Sequence, residues 1–276
     1  MQKTLVSVLM TSYNREKYIA EAIESVMAST YNDFELLIVD DASIDGTVRI
    51  AMSYVEKDSR IKLFINDQNI GQFANRNKAA SLSSSKYIKY LDSDDKIEAD
   101  GLEIMVNSME KYPEVALGIC HTVEKTGAEF PFIIESVNAY RKHFFGGGLL
   151  FTGPSGLIFR KDRFDEVNGF EEYGMPSDNH LSLKLAGRFP ILALPPDLFM
   201  WRRHDEQVFF VNKKNYDNIL FNYNYTRDVI AKYSPLSTKE NRLVIFNQSK
   251  LFHLHLLKLV FKKGMIKTAF KLFLRS

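Results

Sequence analysis

Along the first hundred residues, apolar runs of five or six positions alternate with stretches whose apolar residues recur every third or fourth position. Leu5 to Met10 is a short run rich in Val and Leu, and Ile19, Ala22, Ile23, Val26 and Met27 follow at helical spacing, which predicts a strand and then an amphipathic helix. Phe34 to Val39 reads as a second buried strand, closed by Asp40-Asp41 and the turn-forming Asp45-Gly46. Ile50, Ala51, Tyr54 and Val55 mark another helix face. A strand at Ile61 to Ile65, a helix around Phe73 to Ser83 and a strand at Tyr87 to Leu91 continue the series. Strands separated by helical stretches of this length imply parallel pairing with right-handed crossovers, hence an α/β doubly wound, mostly parallel sheet flanked by helices.

Beyond residue 115 the alternation loosens. Val115 to His121 and Phe130 to Ile134 read as strands, and Phe144 to Gly156 is glycine-rich, as a loop near a ligand often is. Leu157 to Phe159 and Arg160 to Val167 read as strand then helix, and Ser177 stands as an N-cap before Leu181, Leu183, Leu185 and Ala186. After Asn215 the pattern is helical to the end. We read residues 1–214 as one domain, with halves 1–115 and 116–214, followed by a C-terminal helical extension over 215–276.

Composition narrows the class. A chain of 276 residues with 45% apolar residues can bury a substantial core, and a single Cys120 excludes an internal disulfide, in keeping with a reducing compartment. Met1-Gln2-Lys3 leads straight into a strand-like run without a leader pattern, and no apolar run reaches the ~18 residues of a membrane span. The expectation is a cytoplasmic protein, soluble or peripheral on the inner face of the plasma membrane. The net charge of +2 hides an asymmetry: Asn241 to Ser276 holds eight Lys and Arg and no Asp or Glu, leaving 28 basic against 34 acidic residues before it. In the last stretch Lys263, Lys267 and Lys271 form a basic stripe, with Ile266, Ala269, Phe270, Phe273 and Leu274 facing elsewhere. This is the pattern of an interfacial helix for an anionic membrane surface, or of a helix packed on the body with a solvated charged face. An acidic body argues against a nucleic-acid partner.

The candidate chemistry collects at strand ends, where open α/β sheets bind ligands. Thr11 to Asn14 follows the first strand, Asp40-Asp41 the second, and Asp92-Ser93-Asp94-Asp95 the fourth. Three carboxylates within four residues repel one another unless a cation joins them, and a hard divalent ion such as Mn²⁺ or Mg²⁺, held by one or two of them, is a common grip on a diphosphate. Asp41 is a candidate acceptor for a base or sugar donor group, Tyr13 a surface for a base, Arg76 a further cation and Asp94 with Asp95 the metal holders. Plainer readings stand beside these: a solvated acidic turn at 92–95, a strand stop at 40–41, and a solvated helix arginine in Asn75-Arg76-Asn77. G-x-G-x-x-G is missing from the first turn and G-x-x-x-x-G-K-[ST] from the whole chain, so dinucleotide and P-loop chemistry lack support. Gly153-Pro154-Ser155-Gly156 lacks the spacing of a nucleophile elbow.

Val6 to Asn14 (VSVLMTSYN), Phe34 to Thr47 (FELLIVDDASIDGT) and Tyr87 to Asp95 (YIKYLDSDD) together resemble the inverting nucleotide-sugar glycosyltransferases of family two, with the GT-A fold. The resemblance covers about the first 205 residues. It implies a hexosyl or N-acetylhexosaminyl transferase that moves a sugar from a nucleoside-diphosphate sugar, commonly of uridine, to a glycan or lipid-linked acceptor in bacterial cell-surface polysaccharide or glycolipid assembly. It places Thr11, Tyr13, Asp41 and Arg76 around the nucleoside, Asp94 near the ribose or metal, and Asp95 on the metal. The family's general base is the aspartate of a late Glu-Asp pair opening a helix. Here Ser177-Asp178 stands in that place, so the aspartate is kept and the glutamate is not. We expect the helix N-terminus to hold Asp178 ionised. Trp201-Arg202-Arg203-His204 resembles the segment that closes over the diphosphate in many members, which makes His204 a candidate ligand to metal or phosphate and equally a structural histidine. A non-catalytic sugar-nucleotide binder remains the alternative, supported by the missing glutamate.

Overall fold

The computed structural model describes residues 4–120, 129–173, 177–204 and 217–275. Four parallel strands, β1 (Val6–Ser12), β2 (Phe34–Asp40), β3 (Ile61–Ile65) and β4 (Tyr87–Tyr90), alternate with helices α1 (Ile19–Met27), α2 (Thr47–Val55) and α3 (Gln72–Leu82). The middle strands read as unbroken apolar runs because helices cover both sheet faces, so both side-chain rows are buried. The 3.6-residue pattern of α1 turns Ile19, Ala22, Ile23 and Val26 inward.

The second half adds the short ribbon strand β5 (Lys96–Ile97), α4 (Gly101–Lys111), β6 (Leu117–Cys120), β7 (Phe132–Ile134) and α5 (Ser136–Phe145). A single 3₁₀ turn at Pro154–Gly156 precedes β8 (Leu157–Arg160), α6 (Lys161–Glu166), α7 (Ser177–Arg188), β9 (Ile191–Leu194) and β10 (Phe199–Met200). Among the described residues the main sheet runs β3-β2-β1-β4-β8-β6-β9-β7. It is parallel from β3 to β4 and between β6 and β9, whereas β8 lies antiparallel to both its neighbours and β7 antiparallel to β9. The doubly wound, mostly parallel sheet read from the sequence is therefore present, with antiparallel strands inserted in its second half. Strand order reverses at β1, so the crevice between the ends of β1 and β4 is the switch point at which such sheets bind ligands. The strand expected to run to His121 is seen to Cys120; residues 121–128 lie outside the described residues.

The two-residue strands β5 and β10 pair antiparallel and swing residues 201–204 across the end of β4. Gly101 lets this ribbon sit close, since a Cβ on it would stand 2.4 Å from the Leu198 carbonyl oxygen. Gly101→Ala should push the ribbon outward and lower stability by about 1–3 kcal/mol, the usual cost of overpacking. Urea unfolding of the variant checks this, and an unchanged midpoint would mean the ribbon yields freely.

The C-terminal helices are α8 (Asp217–Tyr233), α9 (Thr238–Lys263) and α10 (Ile266–Leu274). A Ser237–Glu240 capping box starts α9, and Gly264, at φ +62°, ends it. Val229, Ile230 and Val244 join the main core, while Leu220, Phe252, Leu256, Leu259, Ala269 and Leu272 form a smaller cluster of their own.

Candidate active site

Three strand ends meet at the crevice, and each is held by its own hydrogen bonds. Asp40, fully buried, accepts from Ser12 Oγ at 2.8 Å and from the amide and hydroxyl of Ser43 at 2.8 and 2.6 Å. These bonds hold the turn in which Ala42 sits at φ +62°, a conformation unusual for alanine. Asp41, 3% exposed, accepts from Asn66 Nδ2 at 2.7 Å and from the amides of Ile70 and Gly71 at 2.9 and 3.0 Å. Its carboxylate thus shapes the 66–71 loop, and three bonds leave it capacity for one further donor. Thr11 lies in the last turn of pleat of β1, and Tyr13 just beyond it is 44% exposed at the crevice.

The acidic loop after β4 is fastened from below and from the side. Lys89, fully buried, donates to the Tyr90 and Ser155 carbonyls, both at 2.5 Å. Ser155 Oγ in turn accepts from the Asp92 amide at 3.0 Å and hydrogen-bonds the Asp95 carboxylate. Burial pulls the Lys89 ammonium down to about 8, while burial and then the Asp92 charge push Asp95 up to about 7. A carboxylate that holds its proton so tightly marks a place short of positive charge.

The loop 201–204 supplies part of that charge. Arg202 donates its amide to Asp95 Oδ1 at 3.0 Å and its Nε to the Asp94 carbonyl at 3.0 Å. Asp94 Oδ2 receives His204 Nε2 at 3.0 Å and Arg15 Nε at 3.2 Å. His204 stacks on Tyr18 with ring centroids 4.5 Å apart. Because Asp94 only accepts, Nε2 carries a proton; His204 Nδ1 is buried and has no hydrogen-bond partner among the described residues.

On the opposite wall, α7 opens with Ser177 and Asp178. Ser177 is the first helical residue rather than a cap ahead of it; it is fully buried and its hydroxyl accepts from the Tyr173 amide at 2.8 Å. Arg76 reaches across from α3, with NH1 2.7 Å from Asp178 Oδ1 and NH2 2.8 Å from Asp92 Oδ1. Arg76 is 2% exposed, so it is not a solvated helix residue; it joins the acidic loop to the start of α7. Burial raises the Asp178 carboxyl to about 6, against the opposing pull of Arg76. The expected effect of the helix N-terminus is thus outweighed, although a group at about 6 is still mostly ionised at neutral pH.

The structure therefore brings Asp94, Asp95, His204, Arg76 and Asp178 to one crevice, with Thr11, Tyr13 and Asp41 along its β1–β2 side. Among the described residues no three carboxylate, imidazole or thiol side chains form a ready-made metal cage. Hard oxygens of Asp94 and Asp95, with His204 Nε2 beside Asp94, nonetheless suit Mn²⁺ or Mg²⁺, which usually complete their shell with phosphate and water. Sequence reasoning left out Asp92, Arg15, Lys89 and Ser155. Asp92 was visible as the first member of the acidic run; the others carry no signal apart from the contacts they make.

The sequence profile of glycosyl transferase family 2 matches residues 7–167, more than half of the chain. A 111-residue stretch is 41% identical to the UDP-Glc:alpha-D-GlcNAc-diphosphoundecaprenol beta-1,3-glucosyltransferase WfgD of Escherichia coli, covering 40% of this chain and 43% of that one. The matched stretch spans only 42–44% of the length of this and similar curated relatives. In structure the chain is similar to residues 1–349 of S. aureus TarS in complex with UDP-GlcNAc, with a TM-score of 0.69 at 20% identity over 88% of this chain and 70% of that one. It is also similar to the mannosyltransferase PcManGT of Pyrobaculum calidifontis in complex with GDP-Man and Mn²⁺, with a TM-score of 0.60 at 17% identity over 99% of this chain and 74% of that one. Both likenesses show the GT-A fold.

Proposed function

The chain belongs to glycosyl transferase family 2, and on that premise we propose that it is a metal-dependent, inverting glycosyltransferase that moves a sugar from a nucleoside-diphosphate sugar to an acceptor hydroxyl. One observation carries this reading: Arg76 ties Asp92 of the acidic loop and Asp178 of α7 to itself within 2.8 Å, so the would-be leaving-group side and the would-be base share a single crevice.

In this reading Thr11, Tyr13 and Asp41 line the nucleoside side, and Asp178 faces the acceptor. As the acceptor oxygen bonds to the anomeric carbon, the bond from that carbon to the diphosphate breaks, and the diphosphate leaves with the electron pair. The hydroxyl proton passes to Asp178, whose affinity for it is raised by burial. Attack opposite the leaving group inverts the anomeric configuration. Asp94, Asp95 and His204 would hold Mn²⁺ or Mg²⁺, which when bound offsets the charge gathering on the diphosphate. Arg15 and Arg202 stand beside Asp94.

The donor is a UDP-sugar, as in the name of WfgD and the TarS complex. The acceptor is a glycan or lipid-linked sugar of bacterial cell-surface polysaccharide or glycolipid assembly. The chain acts in the cytoplasm, with residues 215–276 as a helical extension that meets the anionic inner face of the plasma membrane. No helix among the described residues is long and apolar enough to cross a membrane.

A thermal-shift screen of nucleotide sugars with Mn²⁺ tests the reading. A ligand at a hundred times its dissociation constant stabilises the native state by about 2.7 kcal/mol, which for a chain of this size raises the Tm by roughly 5–10 °C. The expected result is such a rise with at least one UDP-sugar, larger with Mn²⁺ than with chelator. No rise with any nucleotide sugar would overturn the proposal.

A further inference from the structure

Helix α9 is apolar on two opposite faces. Its inner face buries Val244, Phe252, Leu256 and Leu259. At 3.6 residues per turn, Leu243, Phe246, Leu254, Leu257 and Phe261 fall on the other side, and all five are exposed, Phe246 at 64% and Phe261 at 79%. Helix α10 folds back through Gly264, buries Ala269 and Leu272 against α9, and leaves Ile266, Phe270, Phe273 and Leu274 at least half exposed. His253 of α9 meets the edge of Phe273 at 6.4 Å between ring centroids. That contact sets the flanks of the two outer stripes side by side, so they form one apolar face on one side of an antiparallel hairpin.

The border of this face selects its occupant. Lys258 flanks the stripe on α9 and Lys250 stands within it, between Phe246 and Leu254, its long stem able to carry the ammonium out to the rim, while Lys267 and Lys271 line one side of the stripe on α10; from Asn241 to Ser276 no Asp or Glu offsets them. A second copy of the chain would bring its own lysines against these, whereas an anionic bilayer offers hydrocarbon for the stripe and headgroup charge for its rim. We propose that the α9–α10 hairpin lies in the plane of an anionic lipid surface, with Phe246, Leu257, Phe261 and Phe270 inserted below the headgroups and Lys250, Lys258, Lys267 and Lys271 at their level. This deepens the membrane reading above by naming the face that makes the contact. The final helix alone, the segment whose pattern suggested it, supplies less than half of that face.

The test is sedimentation of the whole 276-residue protein with vesicles of three parts phosphatidylcholine to one part phosphatidylglycerol, and with phosphatidylcholine vesicles alone. Binding to the anionic vesicles should exceed binding to the neutral ones at least tenfold and weaken as salt rises. Each lysine near an anionic surface contributes about a fivefold change, so the Lys250→Gln, Lys258→Gln, Lys267→Gln, Lys271→Gln variant should bind on the order of a hundredfold or more weakly. Phe246→Ser with Phe261→Ser and Phe270→Ser should abolish partition, and because these side chains are exposed the fold should survive, as an unchanged Tm would verify. Equal binding by both variants and the parent overturns the proposal. So does a dimer in light scattering that the triple serine variant dissolves, with no vesicle binding, since that assigns the face to a second copy. A nucleotide-sugar thermal shift on the same samples separates this outcome from failure of the transferase reading.

Discussion

Asp178→Asn should leave nucleotide-sugar binding close to that of the parent and cut turnover by at least a hundredfold, the range expected when a general base is removed. The substitution keeps shape and one acceptor oxygen, which can still receive Arg76 NH1, so the architecture at 2.7 Å need not collapse. What is lost is the capacity to take a proton. The parent carries a further signature: with the carboxyl raised to about 6, kcat should rise with pH through about 6 and level off above it, because only the ionised form accepts the acceptor's proton. In the asparagine variant that limb should vanish from the residual rate. Steady-state assays across pH with calorimetry of donor binding decide the matter. Unchanged turnover, or a limb that persists in the variant, would place the base elsewhere.

The β-α alternation of the first hundred residues was legible because β1, β2 and β4 are buried on both faces and end in polar residues, so hydropathy marks both their span and their functional end. The antiparallel entry of β8 was not, since an apolar run carries no direction. Strands β5 and β10 are two residues each, too short to show a period, yet they carry residues 201–204 over the acidic loop. Within the site, carboxylates in a row announce themselves, while Lys89 and Ser155 act through carbonyl and amide contacts that no motif records. The solvated-helix reading of Arg76 failed for a related reason. Helix α3 turns Asn75 and Arg76 inward toward other polar groups, so its buried face does not look apolar and a hydrophobic pattern assigns them to solvent. Helix α9 shows the opposite failure, because apolar residues on two faces cancel the one-sided period that would reveal either.

Arg76→Met should destabilise the protein by about 2–3 kcal/mol and lower turnover as well. Removing one partner of a buried ion pair typically costs 3–5 kcal/mol, and the figure is reduced here because the Asp92 and Asp178 side chains keep 32% and 23% of their exposure while the arginine has almost none. Methionine fills much of the volume between Phe73 and Phe170, each ring centroid 5.6 Å from the guanidinium carbon, so the loss would report charge rather than a cavity. Lysine should rescue only partly, since a single ammonium cannot present two separated nitrogens to two carboxylates. A double-mutant cycle with Asp178→Asn isolates the bridge: the two substitutions together should cost at least 1 kcal/mol less than their sum, because the second removes a charge that the first left unpaired. Urea unfolding of the four proteins measures this. Strict additivity would mean that Arg76 does not join the acidic loop to α7 in solution, and the two sides of the crevice would then need another tie.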